Sequence, residues 1–220
     1  PDYSYFKGIY LFPVEYIEDF IFQNIIFTGD FKMDNLKIVG EYAFDYSNFS
    51  GSLNLPVCRF IGDGAFYDSQ FNGVFECPNL QAVGEYAFSS SNFSGELNLP
   101  ACTQIGDWAF VNSDFSGELS LPVCEQIGDS AFVNSNFSGE LSLPVCTQIG
   151  GWAFYHSTFS GELNLPVCTH IGGSAFLNSN FTQITIGANA VLENYCIGAH
   201  STEFIQDYAD NGKLAGTYVW

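Results

Sequence analysis

The sequence predicts a β-rich solenoid: a right-handed superhelix of 22-residue coils with a parallel sheet, degenerate N-terminal coils and a C-terminal cap of one helix and one strand. Three observations predict it. Gly40, Gly62, Gly84, Gly106, Gly128, Gly150 and Gly172 recur at a constant spacing of 22. Each is followed at fixed offset by Ala-Phe, from Ala43-Phe44 to Ala175-Phe176, and then by a second Phe in the column Phe49, Phe71, Phe93, Phe115, Phe137, Phe159 and Phe181. An unbroken Ser column runs from Ser47 through Ser69, Ser91, Ser113, Ser135 and Ser157 to Ser179, and the consensus reads I-G-x-x-A-F-x-x-S-x-F-x-G-x-L-x-L-P-x-C-x-x. Aligned copies of this kind, at a fixed period within about 20–50 residues, mark a stacked repeat.

Within a coil, G-x-L-x-L-P reads as a strand. In Gly95-Glu96-Leu97-Asn98-Leu99-Pro100 the alternation turns Leu97 and Leu99 inward and Glu96 and Asn98 outward. Proline ends the pairing and turns the chain. Identical coils then stack about 4.8 Å apart. The Phe and Ala columns fill the core from the other side, and the Ser hydroxyls read as corner groups bonding backbone.

The ends depart from the consensus. Upstream, Ile17, Phe22, Phe27, Gly29, Phe31, Met33 and Leu36 keep the apolar phase, and Ile9, Leu11 and Val14 suggest one further coil. Such atypical copies cap a solenoid. Downstream, Ile184 and Ile186 arrive one residue early. Residues 201–210 (STEFIQDYAD) read as a helix with Ser201 or Thr202 as N-cap and Asn211-Gly212 as its stop, and Lys213 to Trp220 as a closing edge strand. The expected division is 1–38 for the degenerate coils and cap, 39–186 for the regular repeats and 187–220 for the C-terminal cap, in one domain.

There are 24 acidic residues against five basic ones, a formal charge of −19. That excludes nucleic acid and anionic lipid as partners, since both need cationic patches, and leaves neutral or cationic partners. No 18-residue apolar run predicts membrane insertion in this fragment. The first residues, PDYSYFKGIY, lack the basic region and apolar core of a signal peptide. The sequence does not open on Met, so a trimmed fragment is expected.

The motif L-x-L-P-x-x-x-x-I-G-x-x-A-F resembles the BspA-like leucine-rich repeats of bacterial and some protist surface proteins, over about Ile17 to Ile186. The terminal NGKLAGTYVW looks like the tails that close such domains. The resemblance implies a cell-surface or secreted location and a role in adhesion or host contact. Two departures stand out. Ser occupies the position after Ala-Phe-x-x where the family usually has Cys. Cys58, Cys102, Cys124, Cys146 and Cys168 stand after L-P-x where the family usually has an aliphatic residue.

Five of the seven cysteines share one column, Cys77 sits out of phase and Cys196 lies in the cap. Regular stacking holds neighbours too far apart and too parallel for disulfides, so a ladder of buried free thiols is expected. A metal ladder finds no His or acid at ligand spacing.

Three outward columns could carry function. Glu96, Glu118, Glu140 and Glu162 form a carboxylate row, bordered by Asn98 and Asn164. A solvated, anti-aggregation face is the bland reading, and a docking strip for a cationic partner the functional one, with calcium on the same four glutamates as the metal option. A second acidic column holds Glu41, Asp63, Glu85, Asp107 and Asp129. Beside it Tyr42, Tyr86, Trp108 and Trp152 read as an exposed aromatic row on alternate coils, about 10 Å apart, suited to sugars or a protein partner. Asn48, Asn92, Asn136 and Asn180 match the N-glycosylation sequon only because the repeat generates it.

Catalysis needs unlike groups converging at one place, whereas a repeat gives identical groups in rows. His156, His170 and His200 share no column, and no phosphate loop, H-E-x-x-H or C-x-x-C is present. The sequence therefore predicts a non-catalytic, cofactor-free recognition scaffold for a protein ligand, host or cell-surface. A glycan-binding module on the Tyr/Trp row, or a structural spacer, are the alternatives.

Overall fold

The computed structural model describes residues 5–7 and 14–220. It is a solenoid whose coils have three sides, each hydrogen-bonded to the next coil. The first side is the expected G-x-L-x-L ladder. Strands Ser94–Asn98, Asp114–Ser120, Asn136–Ser142, Thr158–Leu165 and Asn180–Ile186 lie parallel in sequence order. Upstream, Phe31–Lys32, Leu53–Asn54 and Phe75–Glu76 form a separate three-stranded sheet on the same side.

The second side is a ladder that the repeat consensus does not announce. Nine two-residue strands, from Tyr16–Ile17 to Val191–Leu192, run in unbroken sequence order. In each, the Ile-phase residue points inward and its neighbour outward, as at Gln104–Ile105, Gln126–Ile127 and Gln148–Ile149. The third side is the G-x-x-A-F-x-x-S turn. It has no strand, yet the N–H groups of Trp108, Phe110 and Asn112 donate to the carbonyls of Asp129, Ala131 and Val133 in the next coil at 2.9, 2.8 and 2.9 Å. Two left-handed residues per turn aim these donors along the solenoid, with φ of 53° at Trp108 and 59° at Asn112.

The repeating glycine answers the close approach of successive turns. A Cβ at Gly128 would stand 2.6 Å from Asp107 N and 2.7 Å from Gly106 C. Contacts that short cannot be relieved, because the obstruction is backbone.

Inside, the first Phe column stacks with ring centroids 5.1, 5.3, 5.2, 5.3, 5.2 and 5.0 Å apart from Phe44 to Phe176. The second column widens along the chain. Its separations are 4.3 Å for Phe49–Phe71 and 4.8 Å for Phe71–Phe93, then 5.9, 6.2, 6.3 and 6.3 Å to Phe181. The widening starts where Gly95, Gly117, Gly139 and Gly161 take φ of 86°, 81°, 87° and 77°. These glycines are bulges: Ser94 pairs with Asp114, 20 residues on, while Leu97 pairs with Leu119, 22 residues on. The Ser column follows the shift. Ser47, Ser69, Ser91 and Ser113 donate to the Phe22, Phe44, Phe66 and Phe88 carbonyls at 2.6, 3.0, 3.1 and 3.4 Å. Ser157 and Ser179 donate instead to Ser135 and Ser157 carbonyls at 3.1 and 3.4 Å. Between the two patterns the buried Ser135 hydroxyl has no partner among the described residues.

Cys77 lies outside the cysteine column, as its phase predicts, yet stays within the core. It occupies the second inward position of its strand-and-turn, and Leu80 takes the column position that Cys58 and Cys102 hold in neighbouring coils; both are buried. The pair exchanges places at constant volume, the kind of swap a packed core tolerates.

At the N-terminus Ile17, Phe27, Phe31, Met33 and Leu36 are buried, and Phe22 and Val14 pack against them. The further coil suggested at Ile9 and Leu11 lies outside the described residues. At the C-terminus the early phase of Ile184 and Ile186 is absorbed at the last bulge, where Gly161 pairs with Phe181 and Glu162 with Gln183. The helix is Ser201–Asp210, and Phe204 and Tyr208 cover the core. Its N-cap is His200, not Ser201 or Thr202, and it carries no side-chain cap. The Ser201 hydroxyl is committed to the preceding loop, accepting from Ile197 N–H and donating to the Gly198 carbonyl, both at 2.9 Å. Tyr208 Oη donates to the Gly187 carbonyl at 2.7 Å and accepts from Ala190 N–H at 2.8 Å. The closing strand is shorter than expected, Gly216–Val219, and pairs antiparallel with Asn180–Ile186. It occupies an edge that would otherwise template association.

Stability should discriminate the glycines by cause. Gly128→Ala is expected to cost about 1–3 kcal/mol, as overpacking does. Gly216→Ala, where a Cβ meets nothing within 4 Å, should change stability by less than about 0.5 kcal/mol. Urea denaturation of both variants checks this, and equal effects would refute the close-approach account.

Candidate functional site

The long strands place Glu96, Glu118, Glu140 and Glu162 in one outward row. The first three are exposed and Glu162 is half-buried. Of the bulge glycines only Gly161 lies tight against the row, where a Cβ would stand 3.1 Å from Glu140 Cγ; at Gly117 it would stand 3.4 Å from Glu96 Cγ, and at Gly95 and Gly139 it would meet nothing within 4 Å. Thr185 Oγ1 donates to Glu162 Oε1 at 3.4 Å. Asn98 is exposed, while Asn164 is half-buried and donates to Ser142 Oγ at 3.1 Å. No ion pair among the described residues engages any of the four glutamates; the pairs formed are Lys32–Asp34, Lys37–Glu15, His170–Glu193 and His200–Glu203.

The second acidic column behaves differently. Asp63, Asp107 and Asp129 each turn Oδ1 to the next coil, accepting the N–H of Glu85, Asp129 and Gly151 at 2.8, 2.7 and 2.7 Å. Asp19 does the same for Glu41 at 2.8 Å. These aspartates hold backbone donors exposed on the turn. Asp63, Asp107 and Asp129 border a groove of about 510 Å³ over the short ladder, where Gln104, Gln126, Gln148 and His170 also line the wall. The Gln column that lines it, Gln104, Gln126 and Gln148, repeats at the 22-residue period and is the sequence signal for this wall.

The aromatic row departs from expectation. Tyr86 and Trp108 are on neighbouring coils, not alternate ones, and their rings stack on each other at 5.1 Å and 3°. Tyr42 stacks on Phe20 at 5.5 Å and lies over Gly64. Tyr42, Tyr86 and Trp108 are half-buried; Trp152, 54% exposed, has no ring neighbour among the described residues. The row is thus broken into pairs instead of forming an even platform. It stands on the turn side of the coil, and the glutamate row on the long-strand side, so the structure does not unite the two.

The Cys and Ser columns are withdrawn from solvent. All seven cysteines are buried free thiols. Those of Cys58, Cys102, Cys124, Cys146 and Cys168 donate to the carbonyl two residues ahead at 3.2–3.5 Å. Burial pushes Cys58, Cys102 and Cys168 up to about 11 and Cys146 and Cys196 up to about 12, and raises Cys77 and Cys124 as well. The Ser column is buried. Among the described residues no group of three or more His, Cys, Asp or Glu side chains comes together to hold a metal ion, and no helix is long and apolar enough to cross a membrane.

Comparison with known families gives one match: the BspA type leucine-rich repeat region, in six copies over residues 9–116 and 95–202. No curated protein and no solved structure matches the chain.

The thiols make stability depend on alkaline pH. A pKa raised by folding means that the folded state keeps protons the unfolded state releases, so the stabilisation is full below the unfolded thiol value of about 8.5 and is lost as pH rises through the folded values. Urea midpoints should be level up to about pH 8 and fall steeply between about pH 9 and pH 11, while a thiol reagent at pH 8 should label only denatured protein. A level midpoint across that range would contradict the buried, protonated ladder.

Proposed function

The chain belongs to the BspA-type leucine-rich repeat family, and from that premise we propose that it is a non-catalytic recognition and adhesion scaffold of a cell-surface or secreted protein, docking a protein ligand of basic surface on its long-strand face. A repeat scaffold for protein interaction is what the family suggests. The carrying observation for this chain is the row Glu96, Glu118, Glu140 and Glu162, which holds like charges side by side without a cation of its own. Neighbouring carboxylates about 5 Å apart in water repel by about 0.8 kcal/mol per pair before salt screening. A partner carrying lysines or arginines at the coil spacing removes that repulsion and gains from it. Electrostatic complementarity of this kind governs encounter rate and partner choice more than area does. The outward Ser and Asn positions beside the row supply neutral hydrogen-bonding groups at its rim.

Catalysis has little support. The identical groups in rows, the buried Ser and Cys columns and the separation of His156, His170 and His200 on different coils offer no convergent set of unlike groups. The glycan alternative rests on Trp152, the most open ring of the Tyr42, Tyr86, Trp108 and Trp152 set.

The test compares two variants of equal net charge. Glu96→Gln, Glu118→Gln, Glu140→Gln and Glu162→Gln together should weaken binding of a short polylysine peptide at least tenfold and leave the melting temperature unchanged or higher. Glu18→Gln, Asp34→Asn, Asp207→Asn and Asp210→Asn together should weaken it far less. Equal weakening in the two variants would mean that net charge alone attracts the peptide and would refute the row as a site.

A further inference from the structure

A further outward column stands at the corner where the turn side enters the long-strand side. Asparagine occupies it on every second coil, at Asn48, Asn92, Asn136 and Asn180, with Gln70, Asp114 and Thr158 on the coils between. Each of these residues precedes a buried Phe of the second column. A hydroxyl follows that Phe on every coil except the one carrying Asn72. The repeat thus accounts for the Phe and the hydroxyl of the N-x-S/T sequon, but not for its asparagine. The coil does not require one either. The coils of Asp114 and Thr158 pair with their neighbours in the common ladder, and the Phe after Gln70 stacks in its column.

All four asparagines are exposed. Asn136 and Asn180 open the strands Asn136–Ser142 and Asn180–Ile186, where an inward Phe at the next position fixes their side chains outward. The side-chain amides of Asn48, Asn136 and Asn180 make no hydrogen bond among the described residues. That of Asn92 donates to Gln70 Oε1 at 2.7 Å. Packing therefore makes no use of three of these amides, and it uses the fourth only at the surface.

We propose that Asn48, Asn92, Asn136 and Asn180 are acceptor sites for N-linked glycans. The proposal rests on the cell-surface or secreted reading above, because the donor meets only exported chains. In the transfer, Nδ2 bonds the anomeric carbon of an oligosaccharide carried on a polyprenyl diphosphate. The anomeric C–O bond breaks, the diphosphate leaves with the electron pair, and the amide gives up one proton. The amide keeps its other N–H, so Asn92 retains a donor for Gln70. A glycan is bulky and hydrated and needs a surface position. Alternate coils set the four stems about 10 Å apart, so a bare coil separates each from the next. Glu96 and Glu140 lie four residues beyond Asn92 and Asn136 on the same strands. The glycans therefore border the carboxylate row along one side without standing in it.

The test secretes the whole chain from a eukaryotic host behind a supplied export signal. Its glycans are removed with peptide-N-glycosidase F in heavy-oxygen water, and the peptides are read by mass spectrometry. Heavy-oxygen aspartate should appear at the four asparagines. It should be absent from Asn98 and Asn164, which face outward from the same sheet but lack the hydroxyl two residues on. Asn→Gln at all four sites should abolish the sugar and leave a folded, secreted chain. Absence of the tag from two or more of the four sites, tagging of Asn98, or a glutamine variant that fails to fold would each overturn the assignment. The same digest of protein from its own cells tests export separately. Tags in the host product with none in the native protein would count against the surface reading and leave the acceptor sites standing.

Discussion

Hydrogen bonds between successive coils, backbone to backbone on all three sides, are what every other feature of the molecule accommodates. They hold the rise per coil near the spacing of neighbouring strands, about 4.8 Å. At that rise two backbones must pass with nothing between them at the start of each turn, and the glycine column supplies the gap. Each column of identical side chains must then tolerate its own copy one coil away. Phe does so by parallel stacking at 5.0–5.3 Å. Ser does so by donating to the coil before it, and Cys by turning its thiol onto a carbonyl of its own coil. Charged groups tolerate it only in water, so the inward columns are uniform and the outward ones vary.

The same constraint explains the change in geometry along the solenoid. From Gly95 onward a left-handed glycine in each long strand shifts the pairing from 20 residues apart to 22. The Phe rings at that corner move apart, and the Ser hydroxyls lengthen their bonds until Ser135 has none and the next two choose a different carbonyl. The last coil, Phe181-Thr182-Gln183-Ile184-Thr185-Ile186, simply lacks the glycine. Its one-residue deletion falls where the ladder already slips, so the strand stays in register for Leu163–Ile184 and Leu165–Ile186.

Much of this was legible because a column is a long-range contact written in the sequence: Leu97, Phe110, Ala109 and Ser113 declare their neighbours by recurring. The G-x-L-x-L strand, the helix at Ser201–Asp210 and its stop at Asn211 could be read from period and local chemistry. The short ladder was hidden because two residues, Gln104–Ile105, are too few to show alternation. The stacking of Tyr86 on Trp108 was hidden behind a reading of the row as alternating, although their numbers differ by one period. The meeting of the tyrosines on the turn side was illegible for a deeper reason. Tyr42, Tyr46 and Tyr67 belong to different columns, and they meet diagonally, through turn geometry that no single column records.

The two acidic columns end in different surroundings, and within the second one methylene separates the residues that bond the next coil from those that do not. The Asp carboxylates at positions 63, 107 and 129 are short enough to fold back onto the next coil's N–H, and they are spent there. Glu41 and Glu85, in the same column, show no such bond to the coil above. The glutamates of the long-strand face lie along side chains and bulge glycines and reach past the backbone into solvent. At the cap a glutamate does reach a turn donor, Glu193 Oε2 accepting the Gly173 N–H of the coil before it at 2.8 Å. In a solenoid whose core columns are saturated by their own repeats, groups are left to solvent in two places: in a column that does not satisfy itself, as in the glutamate row, and where the repeat is interrupted, as at Gly64 beneath Tyr42.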